Sequence, residues 1–222
     1  MEVRQPIRSA IVIADAPAAD LASYTALVED ADLRVAADGG ARHFLQAGVL
    51  PHLAIGDFDS LPGPLLAELE ARNVRIERYP IHKDETDLEL ALLYAVAQGA
   101  PHIVVLAALG GRPDQHLANL QLLTHPALER IDVRMLHNGW EVFATHDIAR
   151  LEGTAGQTVS LLPMSERVEG IVTENLYYPL RDEPLILGPA RGVSNVMTAE
   201  HATVTIRSGV LLVMHEFGSY AS

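Results

Sequence analysis

The chain has 222 residues, enough for one large domain or two small ones with a buried core. It contains no cysteine, which excludes disulfides and thiolate metal ligands, and we expect a cytoplasmic location. Sixteen Lys and Arg against 29 Asp and Glu give a formal net charge of −13, which argues against nucleic acid or an anionic membrane surface as a partner. The longest apolar run, residues 103–109, has the length of a strand and not of a membrane span.

The first part of the chain alternates between apolar, strand-like runs and helix-like stretches. The predicted strands are residues 9–15, 33–38, 52–57, 74–79 and 102–109. The predicted helices between them include residues 19–31, 63–73 and 85–99. This alternation predicts an α/β fold, in which a mostly parallel sheet carries helices on its faces and binds ligands beyond the carboxyl ends of its strands.

After about residue 137 the chain changes to short segments rich in β-branched residues. Residues 158–163, 202–209 and 210–217 are predicted strands separated by Gly, Pro and Asn, with a hairpin turn at Ser208 and Gly209. We therefore expect an α/β domain at residues 1–137 and an antiparallel β domain at residues 138–222.

Polar clusters follow four of the five predicted strands in the first part. They are ADGGA (37–41), GDFDS (56–60), HKDETD (82–87) and GGRPDQ (110–115). Because the carboxyl ends of parallel strands meet at one edge of a sheet, their charged side chains are expected to converge. The charged residues in question are Asp38, Asp57, Asp59, Asp84, Asp87, Arg112 and Asp114. Taken singly, each cluster also fits a turn or a helix cap.

Several carboxylates at one edge are costly unless a cation lies between them, and oxygen ligands favour Mg²⁺ or Ca²⁺. Asp57 and Asp59 are separated by one residue, and in extended backbone such side chains project to the same side. Both can therefore reach one ion while Phe58 turns toward the core. Asp84 and Asp87 lie three residues apart at a helix start and share a face, although interaction with the helix dipole is an alternative explanation.

Two basic residues accompany these acids. Lys83 is the single lysine of the chain, and Arg112 lies in a glycine-rich turn where backbone can approach a phosphate. Neither the Walker A motif nor the dinucleotide glycine fingerprint is present. The residues alone therefore predict a Mg²⁺-dependent enzyme that acts on a phosphorylated nucleotide.

The order of the motifs ADGGA, GDFDS, KDETD, GGRPDQHLANL and GVSN resembles the thiamine pyrophosphokinase family from about residue 36 onward. The resemblance implies a Rossmann-like α/β domain followed by a C-terminal antiparallel β-sandwich. It also implies ATP and thiamine as substrates, Mg²⁺ as cofactor, and a homodimer with thiamine held between subunits. The implied reaction moves the pyrophosphoryl group of ATP to the thiamine hydroxyl, giving thiamine diphosphate and AMP.

The resemblance assigns roles residue by residue. The implied metal ligands are Asp57, Asp59 and Asp84, which with Arg112 form the catalytic set. The implied ATP site contains Asp38, Gly39, Gly40, Lys83, Thr86, Asp87 and Arg112. The implied thiamine contacts are Asp114, Asn119, Ser194 and Asn195, with Ser194 and Asn195 also fitting a simple turn. Asp59 and Asp114 are the candidates for a base that assists deprotonation of the hydroxyl.

The sequence departs from the family pattern at His82, Asn175 and Val196, and its one tryptophan, Trp140, lies outside the last strands. The departures in the β domain leave open the same transfer to another small alcohol, such as a hydroxymethylpterin. A nucleotide- or thiamine-binding protein without catalysis is the other alternative, and the intact acidic residues argue against it. A Rossmann-type dehydrogenase is disfavoured by the missing glycine fingerprint.

Overall fold

The computed structural model describes residues 6–16 and 21–218. The chain divides into two compact units, and the division falls between His137 and Asn138. Among the described residues, no helix is both long enough and apolar enough to cross a membrane.

A parallel sheet forms the centre of the first unit. Its strands in the described residues are β1 (Ala10–Ile13), β2 (Leu33–Ala37), β3 (Leu53–Gly56), β4 (Arg75–Arg78), β5 (His102–Leu106) and β6 (Asp132–His137). They lie side by side in the order β6-β5-β1-β2-β3-β4, and neighbouring strands run parallel. β1 is buried along its whole length, which is why its sequence is continuously apolar. The direction in which strands are added reverses between β1 and β5.

Helices connect these strands in the pattern that a parallel sheet requires. The helices are α1 (Thr25–Asp30), α2 (Gly40–Gln46), α3 (Gly63–Ala71), α4 (Asp87–Ala97) and α5 (Pro113–Leu122), with 3₁₀ turns at Ala22–Tyr24 and Pro126–Leu128. α4 begins where Thr86 Oγ1 accepts a hydrogen bond from the Glu89 backbone N–H at 3.2 Å. Its buried face contacts β1, β2 and β3. The α/β prediction for this part of the chain is confirmed.

Three elements of the first unit differ from the sequence-based expectations. α2 and α5 are helices that begin inside segments we interpreted only as loop motifs, and β6 was not predicted. The helix expected at residues 19–31 is a 3₁₀ turn followed by a short helix that starts at Thr25, while residues 19 and 20 lie outside the described residues.

Two antiparallel sheets form the second unit, as predicted. Its strands are β7 (Trp140–Thr145), β8 (Ile148–Glu152), β9 (Thr158–Pro163), β10 (Arg167–Glu174), β11 (Arg181–Ile186), β12 (Asn195–Val196), β13 (His201–Thr205) and β14 (Leu211–Glu216). One sheet has the order β12-β9-β14-β7 and the other β11-β10-β13-β8. Both sheets contribute buried side chains to one apolar core, such as Leu161 and Val213 from the first and Leu151 and Val204 from the second. This is a β-sandwich.

The predicted hairpin turn at Ser208 and Gly209 is wrong. β13 pairs with β8 and β10, whereas β14 pairs with β7 and β9, so the chain crosses between sheets at residues 206–210. The Ser208 carbonyl accepts a hydrogen bond from the Glu169 backbone N–H at 3.0 Å, which ties the crossing to β10. A Ser-Gly pair is compatible with a hairpin turn and also with a connection that crosses between two sheets. The local sequence does not specify which strands pair.

Candidate active site

A cavity of about 530 Å³ opens in the first unit at the carboxyl ends of β1, β2, β3 and β5. Gly110 lines it together with polar residues, which are Asp15, Asp38, Asp57, Asp59, Ser60, Lys83, Thr86, Asp87, Arg112, Gln115 and Asn119. The cavity includes the point between β1 and β5 where the strand order reverses, which is the usual ligand position in open α/β sheets. The predicted convergence of polar clusters therefore occurs, although only some of the predicted residues take part.

Left-handed backbone occurs where three strands end at this cavity. Asp38 (φ 46°), Phe58 (φ 60°) and Ala107 (φ 53°) all have positive φ although each carries a Cβ. Such backbone costs on the order of 1–2 kcal/mol per residue, and residues strained in this way cluster at functional sites. Phe58 is buried, as expected from the sequence.

Three carboxylates meet inside the cavity. Asp38, Asp57 and Asp87 each offer an oxygen, and these oxygens lie within 4.8 Å of one another. Ser60 Oγ donates a short hydrogen bond to Asp38 Oδ2, whereas the buried Asp38 Oδ1 has no hydrogen-bond partner among the described residues. A buried acceptor without a partner, beside two further carboxylates, fits a hard divalent cation such as Mg²⁺.

Lys83 lies against two of these carboxylates. Its Nζ is 2.9 Å from Asp87 Oδ1 and 3.4 Å from Asp57 Oδ2, and its side chain is only 10% exposed. Burial lowers the pKa of Lys83, but the two carboxylates outweigh that effect and the net pKa is raised. Lys83 is therefore a charged ammonium in the wall of the cavity.

The carboxylates themselves have pKa values shifted in opposite directions. Burial raises the pKa of Asp87, with Lys83 acting against that shift. A hydrogen bond from the Asp59 backbone N–H to Asp57 Oδ1, 3.0 Å long, lowers the pKa of Asp57 further than its burial raises it. The negative charge of Asp57 in turn raises the pKa of Asp59. The effect of Asp57 on Asp59 shows a negative field at this side of the cavity, where a cation would be favoured.

Gly56, which the sequence analysis did not single out, allows the acids to approach each other. Its φ is +152°, a region that favours glycine, and a Cβ there would lie 3.1 Å from Asp38 Cβ and 3.2 Å from Asp87 Cγ. Its signal in the sequence is the glycine that directly precedes Asp57 at the end of an apolar strand.

Gly39 and Gly40 are buried at the start of α2 and do not line the described cavity. A Cβ at Gly39 would overlap the Asp15 carboxylate, and one at Gly40 would overlap the Ile13 carbonyl oxygen. Close packing of α2 against the end of β1 therefore requires Gly40, whatever ligand the cavity takes, whereas a Cβ at Gly39 would displace only the Asp15 side chain.

Asp84 and Asp114 are exposed and are not among the described residues that line the cavity. Asp114 forms an ion pair with Arg112, whose Nη2 is 2.6 Å from Asp114 Oδ2. That hydrogen bond is the main reason that the pKa of Asp114 is lowered to about 2. Asn119 does line the cavity, and its Nδ2 donates to the Ala108 carbonyl oxygen at 2.7 Å.

Two family models together match most of the chain. The model described as "Thiamin pyrophosphokinase, catalytic domain" matches residues 24–135, and "Thiamin pyrophosphokinase, vitamin B1 binding domain" matches residues 145–211. The chain belongs to the thiamine pyrophosphokinase family. The family resemblance identified from the motifs is confirmed.

Individual members of the thiamine pyrophosphokinase family agree. The thiamine pyrophosphokinase of Bacillus subtilis (strain 168) is 30% identical over 199 residues, which cover 88% of this chain and 91% of the relative. The crystal structure of the B. subtilis protein superposes with a TM-score of 0.84, at 25% identity in the structural alignment, and covers 94% of this chain and 99% of that one. The structure from Geobacillus thermodenitrificans gives a TM-score of 0.81 at 26% identity and covers 94% and 97% of the two chains.

Ser194 and Asn195, the family-derived thiamine contacts, belong to the second unit. Asn195 is buried, and its side chain is bonded to Tyr178: Oδ1 accepts from Tyr178 N at 2.9 Å and Nδ2 donates to Tyr178 O at 2.8 Å. Ser194 is exposed with φ 59°, and its backbone N–H donates to Ser160 Oγ at 3.0 Å. Within this unit, Asn195 fixes the segment that carries Tyr178.

One departure from the thiamine pyrophosphokinase pattern has a local explanation. Asn175 has φ 59°, a conformation that Asn tolerates better than most residues, and its Nδ2 donates to the His201 carbonyl oxygen at 2.9 Å. His82 is exposed beside Lys83. Nothing in the structure explains the choice of Val196, which is half-buried in β12.

Proposed function

We propose that this chain transfers the pyrophosphoryl group of ATP to the hydroxyl of thiamine, giving thiamine diphosphate and AMP, with Mg²⁺ as the cofactor. The observation that carries the proposal is the convergence of Asp38, Asp57 and Asp87 in a cavity at the strand-order reversal of a member of this family. The reaction needs several negative phosphate oxygens beside these acids, and a cation makes that arrangement possible.

Asp38, Asp57 and Asp87 would hold the Mg²⁺, in place of the set of Asp57, Asp59 and Asp84 that the resemblance implied. The orphan Asp38 Oδ1 supports this choice, and the exposed position of Asp84 outside the cavity speaks against it as a ligand. When bound, the ion would supply charge neutralisation for the polyphosphate. Asp59 lines the cavity and remains available for another role.

Lys83 and Arg112 would bind the phosphate oxygens. Lys83 is held in the cavity wall by its carboxylate partners, so its position needs no ordering when ATP arrives. Arg112 has a side chain that is 72% exposed and is free to exchange its Asp114 partner for a phosphate, to which guanidinium binds in a bidentate manner. Thr86 at the start of α4 completes this part of the cavity.

Asp59, and not Asp114, would accept the proton of the thiamine hydroxyl. A base must lie within hydrogen-bond reach of the reacting group, and Asp59 lines the cavity whereas Asp114 does not.

The second unit would bind thiamine and form a homodimer. Its match to the vitamin B1 binding domain supports the first assignment. Exposed apolar side chains, among them Tyr177 (65%), Tyr178 (63%) and Leu187 (59%), support the second, because such groups are typical of interfaces. We also propose that the protein works in the cytoplasm, without nucleic acid or membrane partners.

The experiment incubates the purified chain with ATP, thiamine and MgCl₂ and follows AMP and thiamine diphosphate together. Equal, Mg²⁺-dependent formation of both is expected with thiamine, and none with a hydroxymethylpterin. Asp57→Asn should lower kcat by about a hundredfold or more, whereas Asp30→Asn, an exposed carboxylate on α1, should leave it unchanged. Absence of AMP from the wild-type reaction, in a folded protein that binds ATP, would refute the proposal.

A further inference from the structure

The turn between β5 and α5 contains two successive glycines, whose backbone is intrinsically flexible. Gly110 (φ 94°) and Gly111 (φ 74°) are successive glycines in left-handed backbone, and Arg112 follows as the N-cap of α5. Glycine gains more conformational freedom than any other residue when a contact is lost. Gly110 and Arg112 both line the cavity, so the shape of this turn decides where the Arg112 side chain starts.

The side chain of His116, one turn into α5, holds the first residue of this glycine turn. Its Nδ1 accepts a hydrogen bond from the Gly110 backbone N–H at 3.0 Å. Its own backbone N–H donates to the Arg112 carbonyl oxygen at 3.0 Å. An N–H group can only donate, so Nδ1 carries no proton in this arrangement and Nε2 carries one.

The contact belongs to a wider attachment of α5 to the cavity wall. Asn119 lies three residues after His116, on the same face of the helix, and its Nδ2 donates to the Ala108 carbonyl oxygen at 2.7 Å. Two side chains of α5 therefore bond the backbone of residues 108–110. His116 itself is not among the described residues that line the cavity.

We propose that His116 is a positioning residue for the nucleotide. Its bond to Gly110 fixes the glycine turn in the shape that presents Arg112 to the phosphate groups. This inference rests on the proposed function, because it assigns the loop to ATP and not to thiamine. His116 acts through Gly110 and Arg112 and makes no contact with the substrate.

Three substitutions separate this role from general packing. In His116→Asn, the amide oxygen stands as many bonds from Cα as Nδ1 does and keeps the acceptor for Gly110. In His116→Gln, the acceptor stands one bond further away, where Nε2 was, and in His116→Ala it is absent. His102→Ala, which changes a 64% exposed side chain at the start of β5, is the control.

We expect His116→Gln and His116→Ala to raise the KM for ATP about five- to tenfold, as befits the loss of one ordering hydrogen bond. The KM for thiamine should change less than twofold in both. His116→Asn and His102→Ala should stay within about twofold of the wild type for both substrates.

Amide hydrogen exchange at Gly110 tests the contact without turnover. The Gly110 N–H should be protected in the wild type and in His116→Asn and should exchange at least about tenfold faster in His116→Gln and His116→Ala. This measurement also separates the two proposals. If the wild type makes no thiamine diphosphate but this exchange pattern holds, the proposed function fails and the contact stands.

Two results would overturn the positioning role. One is equal loss of activity in His116→Asn and His116→Ala, in parallel with their thermal midpoints, because that outcome indicates packing alone. The other is a rise in the KM for thiamine as large as that for ATP, which would assign the loop to the acceptor.

Discussion

Gly56→Ala should damage the acidic cluster although it removes no carboxylate. The added Cβ would lie 3.1 Å from Asp38 Cβ and 3.2 Å from Asp87 Cγ, closer than such atoms normally pack. Both acids would have to move away from residue 56, and the oxygens that now lie within 4.8 Å of one another would separate. We therefore expect weaker Mg²⁺ binding together with lower stability.

The size of the effect follows from two terms. The backbone at φ +152° is unfavourable for any residue with a Cβ and costs about 1–3 kcal/mol. Overpacking against Asp38 and Asp87 adds about 1–3 kcal/mol, reduced where the side chains yield. The free energy of unfolding should therefore fall by about 2–6 kcal/mol, toward the lower end if the two side chains yield.

Gly48→Ala is the matched control, since Gly48 also has positive φ (73°) but a Cβ there would meet nothing within 4 Å. It should lose only about 1 kcal/mol and keep its activity. Urea unfolding in EDTA gives the stabilities, and the Mg²⁺ concentration at half-maximal AMP production gives the apparent affinity. If Gly56→Ala matched Gly48→Ala in both measurements, the steric reasoning would be refuted.

Three further outcomes are expected. Asp87→Asn should raise the Mg²⁺ concentration needed for half-maximal activity at least about tenfold, and Asp84→Asn should leave it unchanged. If the same titration showed the rise in Asp84→Asn and no change in Asp87→Asn, Asp84 would be the ligand. Lys83→Met removes the ammonium that pairs with Asp57 and Asp87 and should raise the KM for ATP about tenfold or more. A change in the KM for thiamine alone would contradict a role of Lys83 in phosphate binding. Burial raises the pKa of Asp87, so its ionisation lowers the free energy of unfolding. This loss of stability appears only as the pH rises from about 4, the ordinary pKa of an Asp side chain in the unfolded chain, through the raised pKa in the folded protein. In EDTA, urea unfolding should show Asp87→Asn gaining stability relative to the wild type over that rise, and a constant difference would count against the shift.

Much of the fold was predictable because alternating apolar periodicity is a local property. Residues 10–13 and 103–106 are continuous apolar runs, and burial on both faces of a parallel sheet selects such runs. α2 and α5 were missed because their first residues are Gly and Pro next to motifs that also fit phosphate loops. The crossing at residues 206–210 was missed because strand pairing is decided by distant residues.

The region of the site could be predicted from the sequence, whereas the ligand set Asp57, Asp59 and Asp84 implied by the resemblance stays a prediction. That several acids meet at one sheet edge follows from their positions after the strands. Which acids face the cavity depends on the left-handed backbone at Asp38 and Phe58, and residue spacing alone does not reveal it. The result is that Asp38 joins Asp57 and Asp87, whereas Asp84, three residues before Asp87, lies outside.

The place of β14 in the second unit has a consequence for biosynthesis. β14 lies between β9 and β7, so that sheet lacks a middle strand until residues 211–216 have left the ribosome. The parallel sheet of the first unit, in contrast, has all its described strands once His137 is made. A nascent chain can thus fold its first unit early, while β7 and β9 expose the edges that later pair with β14 until β14 is made or a chaperone covers them.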